Sequence, residues 1–236
     1  MIENGQSIFL IMKKIFSICL FISSTCFFGQ NQKEESFRNS IGDFKTSGSW
    51  LPATKIDNSI EGSPYLFDEC DGFFKIFIDE KKYYPIGNLN YNISSKVLES
   101  KISKDSIFQY DLKAISFVKR GEEKYVFCTI DKKVDFCLEI YSSSKIVFVK
   151  DFKLALINGT LNPLTQEMRK SRYEKKQEYF CKVANNEFIE VDLKKKPILK
   201  LLGEKSKLVE KYASDSKLSF SSEKDLVKIF KYYDSL

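Results

Sequence analysis

Short hydrophobic segments, separated by polar turn residues, recur through the middle of the chain. They are rich in Phe, Tyr, Ile and Val, the residue types that favour strands. The segments are 73–78, 83–86, 89–93, 107–112, 114–118, 125–130, 136–141, 146–155, 179–183 and 188–193. Parallel strands need long crossover connections, and the pattern leaves no room for helices between most of these segments. We therefore predict a mainly β (α+β) fold, an antiparallel meander forming a sandwich or barrel-like domain over residues 65–196.

The pattern changes to a helical period after residue 196. Apolar residues form a stripe over 198–212, broken near Gly203. Ser222 to Asp225 approximates a capping box, and apolar residues follow at positions i, i+3, i+4 and i+7 from Leu226. This pattern predicts short C-terminal helices over residues 197–236 that pack on the β domain. The charged stretch Pro163–Lys176 predicts a surface helix or a long loop.

The beginning of the chain has the pattern of a secretory leader. Two lysines follow Met12, an apolar run extends over 15–28, and polar residues begin at Gln30. The run is too short to span a bilayer comfortably. We therefore predict a signal peptide over residues 1–29 with its start at Met12, a polar extended lead-in over 30–64, and no transmembrane helix in the mature chain. The predicted location is the periplasm or the outside of the cell, with an outer-membrane lipoprotein anchored through Cys26 as the alternative.

Composition excludes several familiar enzyme classes. The chain contains no histidine, so it has no Ser-His-Asp or Cys-His catalytic system and no HExxH zinc site. GxGxxG, the Walker P-loop and GxSxG do not occur either. The net charge of +6 is spread along the whole chain, without a basic block that would follow a phosphate backbone. We therefore predict no catalytic or cofactor-binding residues, no cofactor and no nucleic-acid partner.

The densest acidic cluster contains Asp68, Glu69 and Asp71 beside Gly72. Adjacent carboxylates can bind Ca²⁺ or act as an acid and base pair, which makes these three residues the metal candidates of the sequence. Turns also favour Asp and Gly for backbone reasons, and the cluster lacks the DxDxDG order. The pattern therefore favours a charged turn over a metal site.

The predicted mature chain contains Cys70, Cys128, Cys137 and Cys181. A two-residue turn at Lys132-Lys133 would place Cys128 opposite Cys137 at a distance compatible with a bridge. Lys-Lys is a poor dipeptide for such a turn, so free buried thiols are the alternative. The Cys128–Cys137 pair is the candidate disulfide.

Three segments resemble an uncharacterised family of exported proteins common in the phylum Bacteroidota. They are GSPYLFDE at 62–69, LNYNI at 89–93 and the tail from LKLLG at 199–203 to YYDSL at 232–236. None of them is a catalytic signature. The resemblance implies a location in the cell envelope or outside the cell and no assigned activity.

These patterns leave three hypotheses of function. The first is a non-enzymatic binding or structural module whose partner is an envelope protein, a lipid or a glycan. The second is a carboxylate-dependent hydrolase acting on glycans, which needs two acidic side chains converging in a cleft. The third is an assembly partner that uses the C-terminal helix.

Overall fold

The computed structural model describes residues 48–53, 59–68, 73–184 and 186–236. These residues belong to one unit, Thr46–Leu236. The predicted signal peptide with Cys26 and the lead-in up to residue 47 lie outside the described residues, as do Glu69, Cys70 and Asp71.

Thirteen strands, three α-helices and two 3₁₀ helices form the described part of the chain. The strands are β1 (Gly48–Pro52), β2 (Ile60–Glu61), β3 (Phe73–Phe77), β4 (Tyr83–Gly87), β5 (Leu89–Asn92), β6 (Val97–Lys101), β7 (Ser106–Tyr110), β8 (Phe117–Arg120), β9 (Glu123–Ile130), β10 (Lys133–Ser142), β11 (Ile146–Ile157), β12 (Ser171–Val183) and β13 (Ile189–Glu190). The α-helices are α1 (Lys195–Leu201), α2 (Ser206–Asp215) and α3 (Glu223–Ser235), and the 3₁₀ helices cover Leu112–Ala114 and Gly203–Lys205.

The strands form two sheets. The smaller sheet has four strands in the order β1-β7-β6-β5, and the larger has nine, with β13-β12-β11-β10-β9-β8-β3-β4 in order and β2 added beside β12. All described pairings are antiparallel except that of β2 with β12. The prediction of a mainly β (α+β) antiparallel fold, sandwich or barrel-like, with short C-terminal helices is confirmed, and the arrangement of the sheets is open and sandwich-like.

Aromatic side chains form the core between the two sheets. The Tyr91 ring of β5 packs on Phe136 of β10 with centroids 4.9 Å apart, and Phe136 stacks on Tyr125 at 5.2 Å. Phe67 contacts Tyr125 edge to face. The buried Asn90 side chain accepts a hydrogen bond from the Phe67 N–H and donates one to the Phe67 carbonyl, so the segment before β3 is fixed along the smaller sheet.

The C-terminal helices cover another part of the larger sheet. Leu226, Ile229 and Phe230 of α3 are buried in one cluster with Ile146 and Phe148 of β11. The Ser222 hydroxyl caps the helix by accepting a hydrogen bond from the Asp225 N–H. The amphipathic stripe in the sequence therefore marks the buried face of the helix, as predicted.

The stretch Pro163–Lys176, predicted as a surface helix or long loop, is a loop only as far as residue 170. Residues 163–165 form a turn, and β12 begins at Ser171 and pairs with β11 as far as Arg172, opposite Ile157. The many charges of this stretch suggested a helix surface, but pairing with a long neighbouring strand decides its structure. In the described ranges, no helix has the length and apolar character needed to cross a membrane.

Candidate functional site

Two buried carboxylates stand side by side on the larger sheet. Asp135 of β10 is 3% exposed and Asp151 of β11 is 1% exposed. A buried apolar residue lies two positions away in each strand, Cys137 in β10 and Val149 in β11. Burial of an acidic side chain is costly unless a cation compensates it.

Two lysines supply that compensation. The Lys153 Nζ lies 2.5 Å from Asp151 Oδ2 and 3.7 Å from Asp135 Oδ2, so one ammonium bridges both carboxylates. Lys96, from the turn after β5, forms an ion pair with the other oxygen of Asp135. Because Lys96 comes from the smaller sheet and Asp135 from the larger, this ion pair joins the two sheets.

The pKa shifts in this cluster are those expected where lysine ammonium groups neutralise buried carboxylates. Burial by itself would lower the pKa of Lys153, but its close ion pair with Asp151, together with the charge of Asp135, raises it. Burial, and then the negative charges of Asp135 and Asp151, raise the pKa of Tyr91. Lys153 therefore stays a cation and Tyr91 a neutral phenol at physiological pH. Two carboxylates could act as acid and base in glycoside hydrolysis. Here, however, each carboxylate already forms an ion pair with a lysine ammonium group.

Four concavities of the surface lie elsewhere. One groove of about 840 Å³ runs between the smaller sheet and the β9–β10 hairpin, and we call it the inter-sheet groove. A second, of about 870 Å³, lies beside α1, and two smaller ones measure about 730 and 510 Å³. Neither Asp135 nor Asp151 lines any of these four.

The inter-sheet groove is mostly apolar. Its apolar walls come from Leu51 of β1, Val97 of β6, Leu112 of the first 3₁₀ helix, Phe127 of β9 and Val134 of β10. Val134 is half exposed there. Gln109, Thr129, Asp111 and Lys113 are among its polar residues. Apolar walls with a few polar groups are typical of sites for apolar ligands.

The predicted register of the β9–β10 hairpin is wrong. Cys128 lies opposite Asp135 and Cys137 opposite Val126, because the turn is Asp131-Lys132 and not Lys132-Lys133. Cys128 and Cys137 are therefore diagonal neighbours on one face, a relationship with longer Cα separations than a disulfide prefers. Both thiols are free and buried in the structure, and so is Cys181.

The thiols lack the environment of a nucleophile. A hydrogen bond with Cys128 and burial raise the pKa of Cys137, and burial raises the pKa of Cys181 to about 12. Reactive cysteines have lowered pKa values in electropositive surroundings.

Of the predicted metal candidates, the structure describes Asp68 alone. Its carboxylate is exposed and lies 2.6 Å from Lys175 Nζ, and that hydrogen bond and charge lower the pKa of Asp68. Glu69 and Asp71 lie outside the described residues. Within the part of the chain that the structure describes, no group of three or more His, Cys, Asp or Glu side chains could hold a metal ion.

Sequence reasoning did not single out the Asp135–Asp151 cluster. The available signal was an acidic residue inside a strongly apolar strand, as in the IVFVKDF segment of β11. An acidic residue at such a position means either that the strand is wrongly assigned or that a cation pairs with the carboxylate. For Asp151 this cation is Lys153, two residues further along the same strand. For Asp135 the cation Lys96 could not be read from the sequence, since it is distant along the chain.

Comparisons with protein-family models, with curated proteins and with solved structures found no match. The resemblance to an exported Bacteroidota family therefore stays a prediction from the sequence.

Proposed function

We propose that the protein is an exported, non-enzymatic binding module that holds an apolar ligand in the inter-sheet groove. The groove carries this proposal, because it combines a volume of about 840 Å³ with walls formed by Leu51, Val97, Phe127 and Val134. A volume of this size accommodates a small ligand or an acyl chain.

The hydrolase alternative has less support. A glycosidase needs two carboxylates that reach the scissile bond from opposite sides. Asp135 and Asp151 are the paired buried acids of the larger sheet, and both are covered by Lys153 and Lys96. A substrate would have to displace two ammonium groups and enter the core before it met either acid.

The assembly alternative also has less support. The apolar side chains of α3 that a partner would bind, Leu226, Ile229 and Phe230, are buried within the protein's own fold. Binding through that face would require the helix to leave the sheet.

The binding proposal is tested with a fluorescent acyl chain such as dansylundecanoate, titrated into the mature chain and displaced with dodecanoate. We expect saturable binding that Val134→Glu weakens, because a carboxylate in the groove would oppose an apolar ligand. Leu208→Glu is the matched control, since Leu208 is 53% exposed on α2 and Val134 is 50% exposed. Equal binding by both variants would contradict the proposal.

Export is tested separately by fractionation of the native host. We expect a mature product that begins at Gln30, or an acylated product that begins at Cys26. Intact, unprocessed protein in the cytosol would contradict export and leave the binding test unaffected.

A further inference from the structure

A row of lysines crosses the larger sheet on one face of β3, β8 and β9. Lys75 lies directly opposite Lys119, and Lys119 lies directly opposite Lys124. We call these three residues the lysine row. Neighbouring strands are about 4.8 Å apart, so the row brings like charges close together. Like charges directly opposite each other on a sheet destabilise it.

Acidic side chains of the described residues neutralise only part of the lysine row. Lys124 forms an ion pair with Glu139 at 3.0 Å. Lys75 and Lys119 form no ion pair within the described ranges, 48–53, 59–68, 73–184 and 186–236. Within these ranges, two adjacent ammonium groups therefore keep their charge uncompensated.

Aromatic rings contact the lysine ammonium groups without neutralising their charge. Lys75 Nζ lies 4.8 Å from the Tyr83 ring centroid and Lys124 Nζ lies 4.9 Å from that of Phe117. Lys119 lies over Phe77 at 5.7 Å. Such cation–π contacts are favourable by about 0.5–1 kcal/mol at exposed sites, and they leave the ammonium groups positively charged.

An open aromatic ring lies at the end of the row. Phe73, two residues before Lys75 and therefore on the same face of β3, is 85% exposed. Its cross-strand neighbour is Gly87, which has no side chain to cover the ring. A broad apolar ring beside a row of positive charges is thus presented to the solvent.

We infer that this face binds an anionic polysaccharide, such as a uronate or sulfated glycan. The ammonium groups of Lys75 and Lys119 contact the acidic groups of successive sugars, and the open ring of Phe73 stacks against a sugar ring. Charge complementarity explains why the fold keeps like charges in register at a cost in stability. This inference concerns a different surface from the inter-sheet groove and does not depend on it.

Single-stranded nucleic acid is the other polyanion that binds sheets bearing aromatic residues. Sheets of that kind present several open rings for base stacking. Here Phe77 and Phe117 lie under lysine side chains, and Phe77 is only 9% exposed. Recognition by charge therefore outweighs recognition by stacking on this face, which favours the glycan.

The test is binding of the mature chain to polygalacturonate by isothermal titration calorimetry at several salt concentrations, with dextran as the neutral glycan. The variant Lys75→Gln/Lys119→Gln should bind on the order of tenfold more weakly and with a smaller salt dependence. The control Lys207→Gln/Lys224→Gln removes the same net charge from exposed positions on α2 and α3 and should bind as the wild type does. Phe73→Ala should weaken binding without changing the salt dependence.

Three results would overturn the inference. The first is equal affinity of the wild type for polygalacturonate and dextran. The second is equal loss of affinity in the two double variants, which would assign binding to net charge alone. The third is tighter binding of oligo(dT) than of polygalacturonate, which would make the face a nucleic-acid site. Thermal unfolding of each variant checks folding, and Lys75→Gln/Lys119→Gln should unfold at the same or a higher temperature than the wild type.

Discussion

Phe148 of β11 and Phe230 of α3 meet edge to face, with ring centroids 5.3 Å apart and an interplanar angle of 64°. Both side chains are completely buried. A helix as short as α3 is marginal in isolation, so packing of this kind determines whether it forms at all. The contact therefore couples the end of the chain to the centre of the larger sheet.

Phe230→Ala should lower the free energy of unfolding by about 3–5 kcal/mol, because it removes a buried ring and leaves a cavity. Urea denaturation followed by circular dichroism measures the loss. Lys231→Ala, at the next and exposed position, is the control and should change stability by less than about 0.5 kcal/mol. Similar values for the two variants would mean that α3 does not contribute to the core.

The same helix gives the protein an alkaline limit. The Tyr179 hydroxyl donates to Glu223 at 2.7 Å and the Tyr141 hydroxyl donates to Asp234. Burial, together with the neighbouring carboxylate, raises the pKa of each tyrosine from 10.0 to about 12. A raised pKa favours the protonated phenol in the folded state, so this stabilisation is complete below pH 10 and is lost as the pH rises towards 12.

Tyr141→Phe/Tyr179→Phe should therefore weaken the dependence of stability on pH between 10 and 12. Urea midpoints at pH 9, 10.5 and 11.5 measure this dependence, and Tyr83→Phe serves as an exposed control. A double variant that loses stability with pH as steeply as the wild type would show that these two phenols do not link the helix to the sheet.

Local patterns in the sequence predicted what local physics determines. The spacing of Leu226, Ile229 and Phe230 predicted a helix and its buried face, because both depend on residues within a few turns. In the β9–β10 hairpin, Tyr125, Phe127 and Phe136 share one face, and either register of the two strands would place them there. The predicted register of β9 and β10 was wrong by two residues. A register shift of two residues keeps every side chain on the same face of the sheet, so only the position of the turn distinguishes the two pairings.

Long-range features could not be predicted in this way. The strand Val97–Lys101 escaped notice because Glu99, Ser100 and Lys101 break its apolar alternation, although Glu99 is buried and accepts a hydrogen bond from Tyr65. The ion pair of Lys96 with Asp135 and the lysine row both depend on how distant segments pair. Alternation within a single segment carries no information about such pairing.

The Asp135–Asp151 cluster should contribute to stability rather than to activity. Lys153→Met leaves the Asp151 carboxylate buried without its nearest ammonium. Loss of one partner from a fully buried pair costs about 3–5 kcal/mol, and the partial exposure of Lys153 reduces the expected loss to about 2 kcal/mol. Lys176→Met, directly opposite on β12 and exposed, is the control and should have little effect.

A second substitution, Asp151→Leu in the Lys153→Met background, should recover most of that stability, because it removes the unpaired charge. Chemical denaturation of the wild type, both single variants and the double variant gives the coupling energy. A coupling close to zero would mean that the short contact of Lys153 with Asp151 does not stabilise the fold.

The buried thiols should react slowly in the folded protein. In a mature chain carrying Cys70→Ser, we expect Cys128, Cys137 and Cys181 to resist Ellman's reagent at pH 8 and to react fully in denaturant, since all three are buried and free. Alkylation under non-reducing, denaturing conditions followed by intact-mass measurement counts them. A single alkylation would show that two of the three are bridged.

The β9–β10 turn offers a direct check of the register. Asp131 and Lys132 both have positive φ, 48° and 63°, the conformation of a type I′ turn that favours Asn-Gly. Asp131→Asn/Lys132→Gly should therefore raise the free energy of unfolding by about 1 kcal/mol, because it relieves the strain of a left-handed backbone at lysine. Lys133→Gly should instead destabilise the protein, because Lys133 belongs to β10 and pairs with Ile130. If the turn were Lys132-Lys133, Lys133→Gly would be the stabilising change. Urea denaturation of these two variants therefore decides between two registers of the hairpin, one with Cys128 opposite Asp135 and one with Cys128 opposite Cys137.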